Sequence, residues 1–282
     1  MRRWAVVTGA SSGFGLLTTI ELAKQGFDVL ATMRSVEKAS IYSTFIEKSE
    51  WLNRIHPFRV DVTNQNTIME LKKKIESIGR LDVLVNNAGF AIGGFAEEIE
   101  IADYRKQFET NVFGLMAVTQ ALLPIMRAQQ QGKIINISSV SGRVAFPGLS
   151  PYVSSKHALE GYSESLRLEL KPFGIQVALV EPGSYSTNIW STGMEVAQKK
   201  DGETPYQFYL ESIMSNLESG KEKHGDPRQV AKLIVNLATK KQWKKLRYPI
   251  GRNLRLLLLV KQVIPWSWWE KIVLSTIVGR KK

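Results

Sequence analysis

The chain contains no cysteine, and its three histidines are scattered at His56, His157 and His224. Disulfide bonds and cysteine-ligated metal sites are therefore excluded, and we predict no metal site. No leader of the secretory type precedes the first apolar segment, which favours a cytoplasmic location. The apolar runs near the C-terminus are interrupted before they reach the roughly 20 residues needed to span a bilayer. No linker rich in proline, glycine and serine divides the 282 residues, which indicates one domain.

Positive charge is concentrated at the C-terminus. The chain has a net charge of +12, and residues 240–282 hold twelve lysines and arginines against one acid, Glu270, a net of +11. Four of the seven tryptophans lie in the same segment. This composition suits peripheral contact with anionic lipid, although the same residues could pack on the rest of the chain or on a second subunit. No nucleic-acid-binding motif accompanies the charge, so no nucleic-acid partner is expected.

Strand-like and helix-like segments alternate along the chain. We predict strands at 4–8, 28–32, 56–60, 82–85, 133–138, 175–180 and 246–249. We predict helices at 13–25, 36–48, 64–78, 101–127, 152–171 and 227–239. This alternation predicts the α/β class: a doubly wound parallel sheet of about seven strands in a single domain, residues 1–250. Residues 188–222 interrupt the alternation as an insertion, and 251–282 form a helical C-terminal extension.

A glycine-rich turn directly follows the first predicted strand. Glycines allow the backbone to turn tightly and to approach a pyrophosphate, whose charge suits the N-terminus of the helix that follows. A strand, a glycine turn and a helix in this order predict a dinucleotide site. Its predicted cofactor contacts are Thr8, Gly9, Ser11, Ser12, Gly13, Phe14 and Gly15.

The end of the second strand decides between NAD and NADP. A carboxylate there would bind the ribose hydroxyls and repel a 2′-phosphate. This chain has Met33 and Arg34 instead, and Asp28 lies too early in the strand. A guanidinium suits a phosphate or stacking on adenine, so we favour NADP(H) over NAD(H). A merely solvated Arg34 would leave NAD open.

Tyr152 and Lys156 are four residues apart in a predicted helix, so they share one face. A nearby cation stabilises a phenolate and lowers the phenol's pKa toward working pH. We therefore predict Tyr152 as a proton donor or acceptor.

These motifs, taken in order, resemble the short-chain dehydrogenase/reductase family in its single-domain Rossmann form. The resemblance is close over residues 4–187 and looser to 250. Its other motifs are Asn86-Asn87-Ala88-Gly89, the lone Asn111, Ser139 and Pro182-Gly183. A narrower resemblance, to the 17-beta-hydroxysteroid and retinol dehydrogenase branch, rests on residues 31–35, the run 13–15 and the apolar extension.

The resemblance implies hydride transfer between nicotinamide and a carbonyl or alcohol carbon. It implies that Tyr152 supplies the proton, Lys156 also holds the ribose, Ser139 binds the substrate oxygen and Asn111 completes a proton relay. Further implied cofactor contacts are Asp61, Val62, Asn87, Ala88, Gly89, Pro182, Gly183 and Thr187. The alternatives are an NAD-dependent alcohol dehydrogenase and a non-catalytic NAD(P)H-binding protein on the same fold.

Aromatic and aliphatic residues suggest an apolar carbonyl or alcohol substrate. With Ser139 and Tyr152, the predicted substrate contacts are Phe146, Leu149, Tyr185 and Trp190. The resemblance implies that the insertion 188–222 covers the substrate, although it could be a plain surface excursion. It also implies homodimers or homotetramers formed through the helices at 101–127 and 152–171.

Overall fold

The computed structural model describes residues 2–185, 204–220 and 224–278. In this part of the chain, seven strands form one parallel sheet in the order β3-β2-β1-β4-β5-β6-β7. The strands are β1 Arg3–Val7, β2 Phe27–Met33, β3 Ile55–Arg59, β4 Val83–Asn86, β5 Gly132–Ile137, β6 Ile175–Pro182 and β7 Arg247–Ile250. All seven predicted strands are confirmed, with ends shifted by at most two residues.

Helices cover both faces of the sheet. They are α1 Gly13–Lys24, α2 Ile41–Phe45, α3 Ser49–Leu52, α4 Gln65–Ile78, α5 Ile101–Phe108, α6 Leu115–Ala128, α7 Ser150–Leu170, α8 Gln207–Gly220, α9 Pro227–Thr239, α10 Leu254–Val263 and α11 Trp266–Val278. Shorter 3₁₀ turns occupy Val36–Ser40, Val140–Gly142 and Lys171–Phe173. A π-helical turn, Glu109–Gly114, joins α5 to α6.

Successive side chains of the central strands enter two different apolar cores. In β1, Ala5 and Val7 pack with α1 and α9, whereas Val6 packs on the opposite face with α4 and α6. Both faces of the sheet are thus buried, which explains why the strands read as continuous apolar runs. The helix predicted at 36–48 is instead a 3₁₀ turn followed by the short α2.

The strand order reverses beside β1. From β1 the chain first adds β2 and β3 on one side of the sheet, and then adds β4 and the later strands on the other side. Loops from these strands diverge and leave a crevice at the carboxyl edge of the sheet. All of the predicted motifs that the structure describes lie at or beside that edge.

Residues 101–128 are the one described helical stretch that is long and apolar enough to cross a membrane. Val118, Leu122 and Met126 of this stretch are fully buried against α4 and the sheet. The stretch therefore serves as a core helix of the α/β fold.

The C-terminal helices are attached to the body. Leu254, Leu258 and Trp269 form a small apolar cluster with Val144 and with the partly buried Phe146. The Lys261 ammonium donates a hydrogen bond to the Arg143 carbonyl. The extension thereby packs beside the loop that follows Ser139.

Candidate active site

The glycine turn is built with no room for larger side chains. Gly9 and Gly13 have φ angles of +65° and +53°, which favour glycine. A Cβ on Gly15 would lie 2.3 Å from the Gly9 carbonyl oxygen and 2.5 Å from Asn87 Nδ2. The helix α1 can therefore begin this close to the β4 loop only with glycine at that position.

Thr8 and Asn87 lock the ends of β1 and β4 together. Thr8 Oγ1 accepts hydrogen bonds of 2.9 Å from the N–H groups of both Asn87 and Ala88. Asn87 Nδ2 donates to the carbonyls of Thr8 and Gly9, at 2.8 and 3.1 Å. The two motifs thus form one hydrogen-bonded unit.

Tyr42 supports the same turn from behind, and the sequence motifs do not reveal it. Its hydroxyl donates a 2.6 Å hydrogen bond to the Ala10 carbonyl, and burial raises its pKa, so it keeps its proton. The only signal in the sequence is an aromatic residue in a short amphipathic segment, which does not indicate its target.

An open cleft of about 790 Å³ lies above these turns. Its lining includes most of the predicted cofactor and catalytic residues: Gly9, Ser11, Ser12, Gly13, Phe14, Arg34, Asp61, Val62, Asn87, Ala88, Gly89, Ser139, Tyr152, Lys156, Pro182 and Gly183. Thr8 and Gly15 lie behind this surface and support it. Thr187 and Trp190 lie outside the described residues.

The cleft fits a dinucleotide on geometric grounds. Ser12 precedes α1 and makes no capping hydrogen bond with its side chain, so that side chain does not occupy the first-turn N–H groups. The glycine turn leaves space that a Cβ would fill. Arg34 is exposed at the edge of the cleft. Asp28 is buried at the opposite end of β2, 3.5 Å from Arg54 and 3.3 Å from His56, and cannot contact this site.

Tyr152 is buried in the wall of the cleft, hydrogen-bonded to the Ser139 side chain. Burial raises the pKa of Tyr152 to about 12, and the bond from Ser139 offsets this only in part. At neutral pH the phenol therefore holds its proton.

Lys156 reaches past the Tyr152 ring. Its Nζ donates a 2.8 Å hydrogen bond to the Ile137 carbonyl and lies 5.7 Å from the ring centroid. Burial lowers the pKa of Lys156 to about 8, and the Glu160 carboxylate raises it in part. The expected lowering of the Tyr152 pKa does not appear in this geometry, because desolvation outweighs other influences on the phenol.

The two adjacent serines have different partners. Ser138 Oγ donates to Glu160 at 2.5 Å, whereas Ser139 Oγ accepts from the Ser141 N–H at 3.1 Å and faces Tyr152. Ser139 is thus both a cap for the 3₁₀ turn and a group in the cleft. This arrangement favours Ser139 over Ser138 as the substrate contact. His157 lies exposed on another face of α7.

Asn111 lies in the π-helical turn and is buried. Its amide pairs with the Phe90 backbone, accepting from the N–H at 3.1 Å and donating to the carbonyl at 2.9 Å. A third bond, of 3.3 Å, reaches Ser155 Oγ, next to Lys156 in the sequence. Asn111 therefore joins the β4 loop to α7.

A buried charge cluster below Lys156 was not predicted from the sequence. Glu160 accepts from Arg247 at 2.8 Å, and Glu181 lies 3.4 Å from Arg247 and 3.8 Å from Arg143. Desolvation, followed by the nearby Glu160, raises the pKa of Glu181 to about 7. These residues lie on separate elements, so no local pattern could have grouped them.

The region that follows Ser139 in the chain, the proposed substrate side of the cleft, is apolar, although its residues Phe146 and Leu149 do not line the cleft itself. Phe146 packs against the C-terminal helices, and Leu149 pairs with Gly94 at the start of α7. Tyr206, ahead of α8, stacks on Phe95 with 4.4 Å between ring centroids. Tyr185, predicted as a substrate contact, lines the cleft and packs edge-on against Phe14 of the glycine turn at 5.7 Å.

A sequence profile described as short chain dehydrogenase matches residues 3–196. The chain belongs to the short-chain dehydrogenase family. This membership makes the protein an oxidoreductase. A Bacillus subtilis strain 168 protein named "Uncharacterized oxidoreductase YusZ" is 49% identical over 273 residues, 96% of this chain and 97% of that protein.

Two relatives of this short-chain dehydrogenase carry more specific names. The 3-ketodihydrosphingosine reductase of Bacteroides thetaiotaomicron is 37% identical, covering 84% of this chain and 83% of that protein. The NADPH-dependent 3-dehydrocapnine reductase of Ornithobacterium rhinotracheale is 32% identical, covering 96% and 95%.

Solved structures agree with the family assignment. A short-chain dehydrogenase from Streptomyces avermitilis aligns with a TM-score of 0.79 at 33% identity, over 98% of each chain. ElxO, solved with NADP bound, aligns with a TM-score of 0.75 at 27% identity, over 91% of this chain and all of that one.

Proposed function

We propose that this short-chain dehydrogenase is an NADP(H)-dependent reductase of apolar carbonyl compounds, with Tyr152 as the proton donor. The observation that carries the proposal is the single cleft in which a protonated, buried phenol faces the Ser139 hydroxyl beside a glycine-lined dinucleotide cradle. The reverse oxidation of an alcohol uses the same groups.

Bound NADPH would supply the hydride, held by the glycine turn, Asn87 and Lys156. The Ser139 hydroxyl hydrogen-bonds the substrate oxygen and steadies the charge that develops on it. Tyr152 transfers its phenolic proton to that oxygen. The Lys156 ammonium beside the ring stabilises the phenolate left behind, and Asn111 would complete a proton relay from Lys156 to solvent.

The choice of NADP(H) rests on Arg34. Its guanidinium follows β2 at the edge of the cleft, where a 2′-phosphate would lie. We expect Arg34→Ala to raise the NADPH Kd by about tenfold, as for loss of one charge-assisted phosphate contact, with little change for NADH. Lys73→Ala, an exposed cation on α4, is the control. Equal affinity of the wild type for both cofactors would favour the NAD-dependent alternative.

The proposed substrate class rests on the apolar residues of the proposed substrate side and on the names of two relatives. One relative is named as a reductase of a 3-keto compound and another as a reductase of a 3-dehydro compound. The alignment with each relative covers most of this chain. We propose a long-chain 3-keto amino lipid, with its keto oxygen at Ser139 and Tyr152 and its alkyl chain along Phe146 and Leu149.

NADPH oxidation in the presence of 3-ketodihydrosphingosine tests the reaction. We expect Tyr152→Phe to lower kcat by roughly 10²- to 10⁴-fold, the usual contribution of a general acid, with an unchanged NADPH Kd. Tyr162→Phe on the same helix is the matched control, because burial also raises the pKa of Tyr162 to about 12. Retained turnover in Tyr152→Phe would refute the proton assignment, and NADPH binding without turnover of any carbonyl would favour a non-catalytic role.

A homodimer or homotetramer is proposed for the assembly. Exposed apolar side chains lie on the helices that the family resemblance implicates: Ile101 and Phe113 near α5 and α6, and Leu168 on α7. Light scattering of wild type and Phe113→Glu tests this, and an unchanged mass would exclude that face. The cytoplasmic location stays a prediction.

A further inference from the structure

Half of the large exposed apolar side chains in the described chain lie in its last 28 residues, 251–278. Six of them define the C-terminal apolar surface, with 45–75% of each residue exposed: Leu256, Leu259, Val263, Trp266, Trp268 and Ile272. Exposed apolar surface concentrated in one segment in this way is typical of an interaction site.

The surface is the outer side of helices whose inner side is already fixed. On α10, Leu256, Leu259 and Val263 recur at spacings of three and four and so share one stripe. Leu254 and Leu258 of the same helix are buried against the body. The exposed stripe is therefore a second apolar face, which packing among the residues that the structure describes does not explain.

The positive charge around the C-terminal apolar surface indicates which kind of partner it binds. Arg252, Arg255 and Lys271 are exposed beside the surface, and Glu270 is the one acid in residues 240–282, which carry a net charge of +11. A two-fold contact with a second copy would place two such segments together, and like charges would oppose it. An anionic partner with an apolar interior satisfies both features.

We propose that the C-terminal apolar surface docks on an anionic lipid bilayer. The helices α10 and α11 have 10 and 13 residues, too short to span the roughly 20-residue hydrocarbon core but suited to lie in its interface. Exposed tryptophan and leucine enter the interface, while arginine and lysine contact lipid phosphates.

Docking would place the substrate side of the cleft next to the bilayer. The inner face of α10 and α11 packs on Val144 and Phe146, a few residues after Ser139. The helix α8, ahead of which Tyr206 stacks on Phe95, also contacts α11. This consequence rests on the proposed function, because it matters only for an apolar substrate that partitions into lipid; the docking itself does not depend on it.

Vesicle sedimentation of the full-length protein tests docking. We expect binding to vesicles of phosphatidylcholine mixed with phosphatidylglycerol, weaker binding to phosphatidylcholine alone, and weakening by salt. Trp266→Ser with Trp268→Ser should lower the partition coefficient by about tenfold or more. Phe45→Ser with Met69→Ser, which removes exposed apolar side chains elsewhere, should leave it unchanged.

NADPH binding and circular dichroism of each variant verify folding. Equal partition of the tryptophan double variant and the wild type would overturn the proposal, as would a wild type that stays in solution with every vesicle. A fall in oligomer mass in that variant, without vesicle binding by the wild type, would assign the surface to a second copy and also overturn it. Turnover of a water-soluble ketone is measured without lipid. If the wild type turns this ketone over but does not bind vesicles, the docking proposal fails while the proposed reaction stands.

Discussion

The two halves of the cleft are held by different kinds of interaction. On the cofactor side, Thr8, Asn87 and Tyr42 fix the glycine turn and the β4 loop through side-chain hydrogen bonds to backbone groups. On the proposed substrate side, Phe146 packs on the C-terminal helices and Tyr206 stacks on Phe95, so the contacts are apolar and aromatic. Hydrogen bonds to backbone impose one geometry, whereas apolar contacts tolerate changes of shape and volume. The same fold can therefore hold the cofactor side in one geometry while the residues of the proposed substrate side vary.

Enlarging the glycine turn should have the largest effect on the cofactor side. Gly15→Ala places a methyl group 2.3 Å from the Gly9 carbonyl oxygen, so α1 must move away from the β4 loop. We expect the free energy of unfolding to fall by about 3 kcal/mol or more, at the high end for overpacking, and NADPH binding to be lost.

Gly161→Ala is the matched control in the middle of α7. No atom lies within 4 Å of a Cβ built there, so alanine should stabilise the helix by roughly 0.5–1 kcal/mol. Urea unfolding followed by circular dichroism measures both variants. Similar stabilities for the two alanine variants would contradict the claim that the cofactor side is rigid.

Lys156, the proposed partner of Tyr152, destabilises the fold that holds it. Its pKa, about 8 in the folded chain against 10.5 as the ordinary value, means that burial disfavours the charged form. The cost is fully present below pH 8 and declines as pH rises toward 10.5. We expect Lys156→Met to abolish turnover and raise the free energy of unfolding at pH 7 by on the order of 1–3 kcal/mol.

Unfolding of wild type and Lys156→Met at pH 7 and pH 10 tests this account, because the difference should shrink at the higher pH. Lys133→Met is the control: its pKa is also lowered by burial, and it lies at the opposite edge of the sheet. Turnover lost in Lys156→Met but kept in Lys133→Met would separate the catalytic role from the stability effect. A pH-independent difference would mean that packing, not charge, dominates.

Glu181 is the corresponding case for an acid. Its pKa is raised from 4.5 to about 7, so the buried carboxylate costs stability that is absent below pH 4.5 and grows as pH rises through 7. Glu181→Gln should flatten the change of stability between pH 5 and pH 8 by roughly 1 kcal/mol, once the remaining pairing to Arg143 and Arg247 is discounted. If Glu181→Gln left the pH dependence of the free energy of unfolding unchanged, Glu181 would not be the carboxylate of the cluster that costs stability.

The seven strands and the cofactor turn could be predicted because they depend on local patterns. Buried parallel strands need apolar runs, and a turn as tight as that at Gly9 and Gly15 needs glycine. Tyr42, Glu181 and Arg247 could not be assigned, because their partners are distant in the sequence and meet only through the fold. The pKa of Tyr152 was expected to fall because its burial is not visible in the Tyr152–Lys156 spacing.

The smallest predicted effect concerns the substrate wall. Tyr206 stacks on Phe95 with its ring inclined by 13°, a contact worth about 0.5–1.5 kcal/mol. Tyr206→Ala should therefore raise the KM for a long-chain ketone by roughly two- to tenfold, while the NADPH Kd stays unchanged. Tyr206→Phe keeps the stacked ring and should restore the wild-type KM. If Tyr206→Ala instead weakened NADPH binding, the two halves would be coupled, because loosening the apolar wall would then reach the hydrogen-bonded cofactor turns.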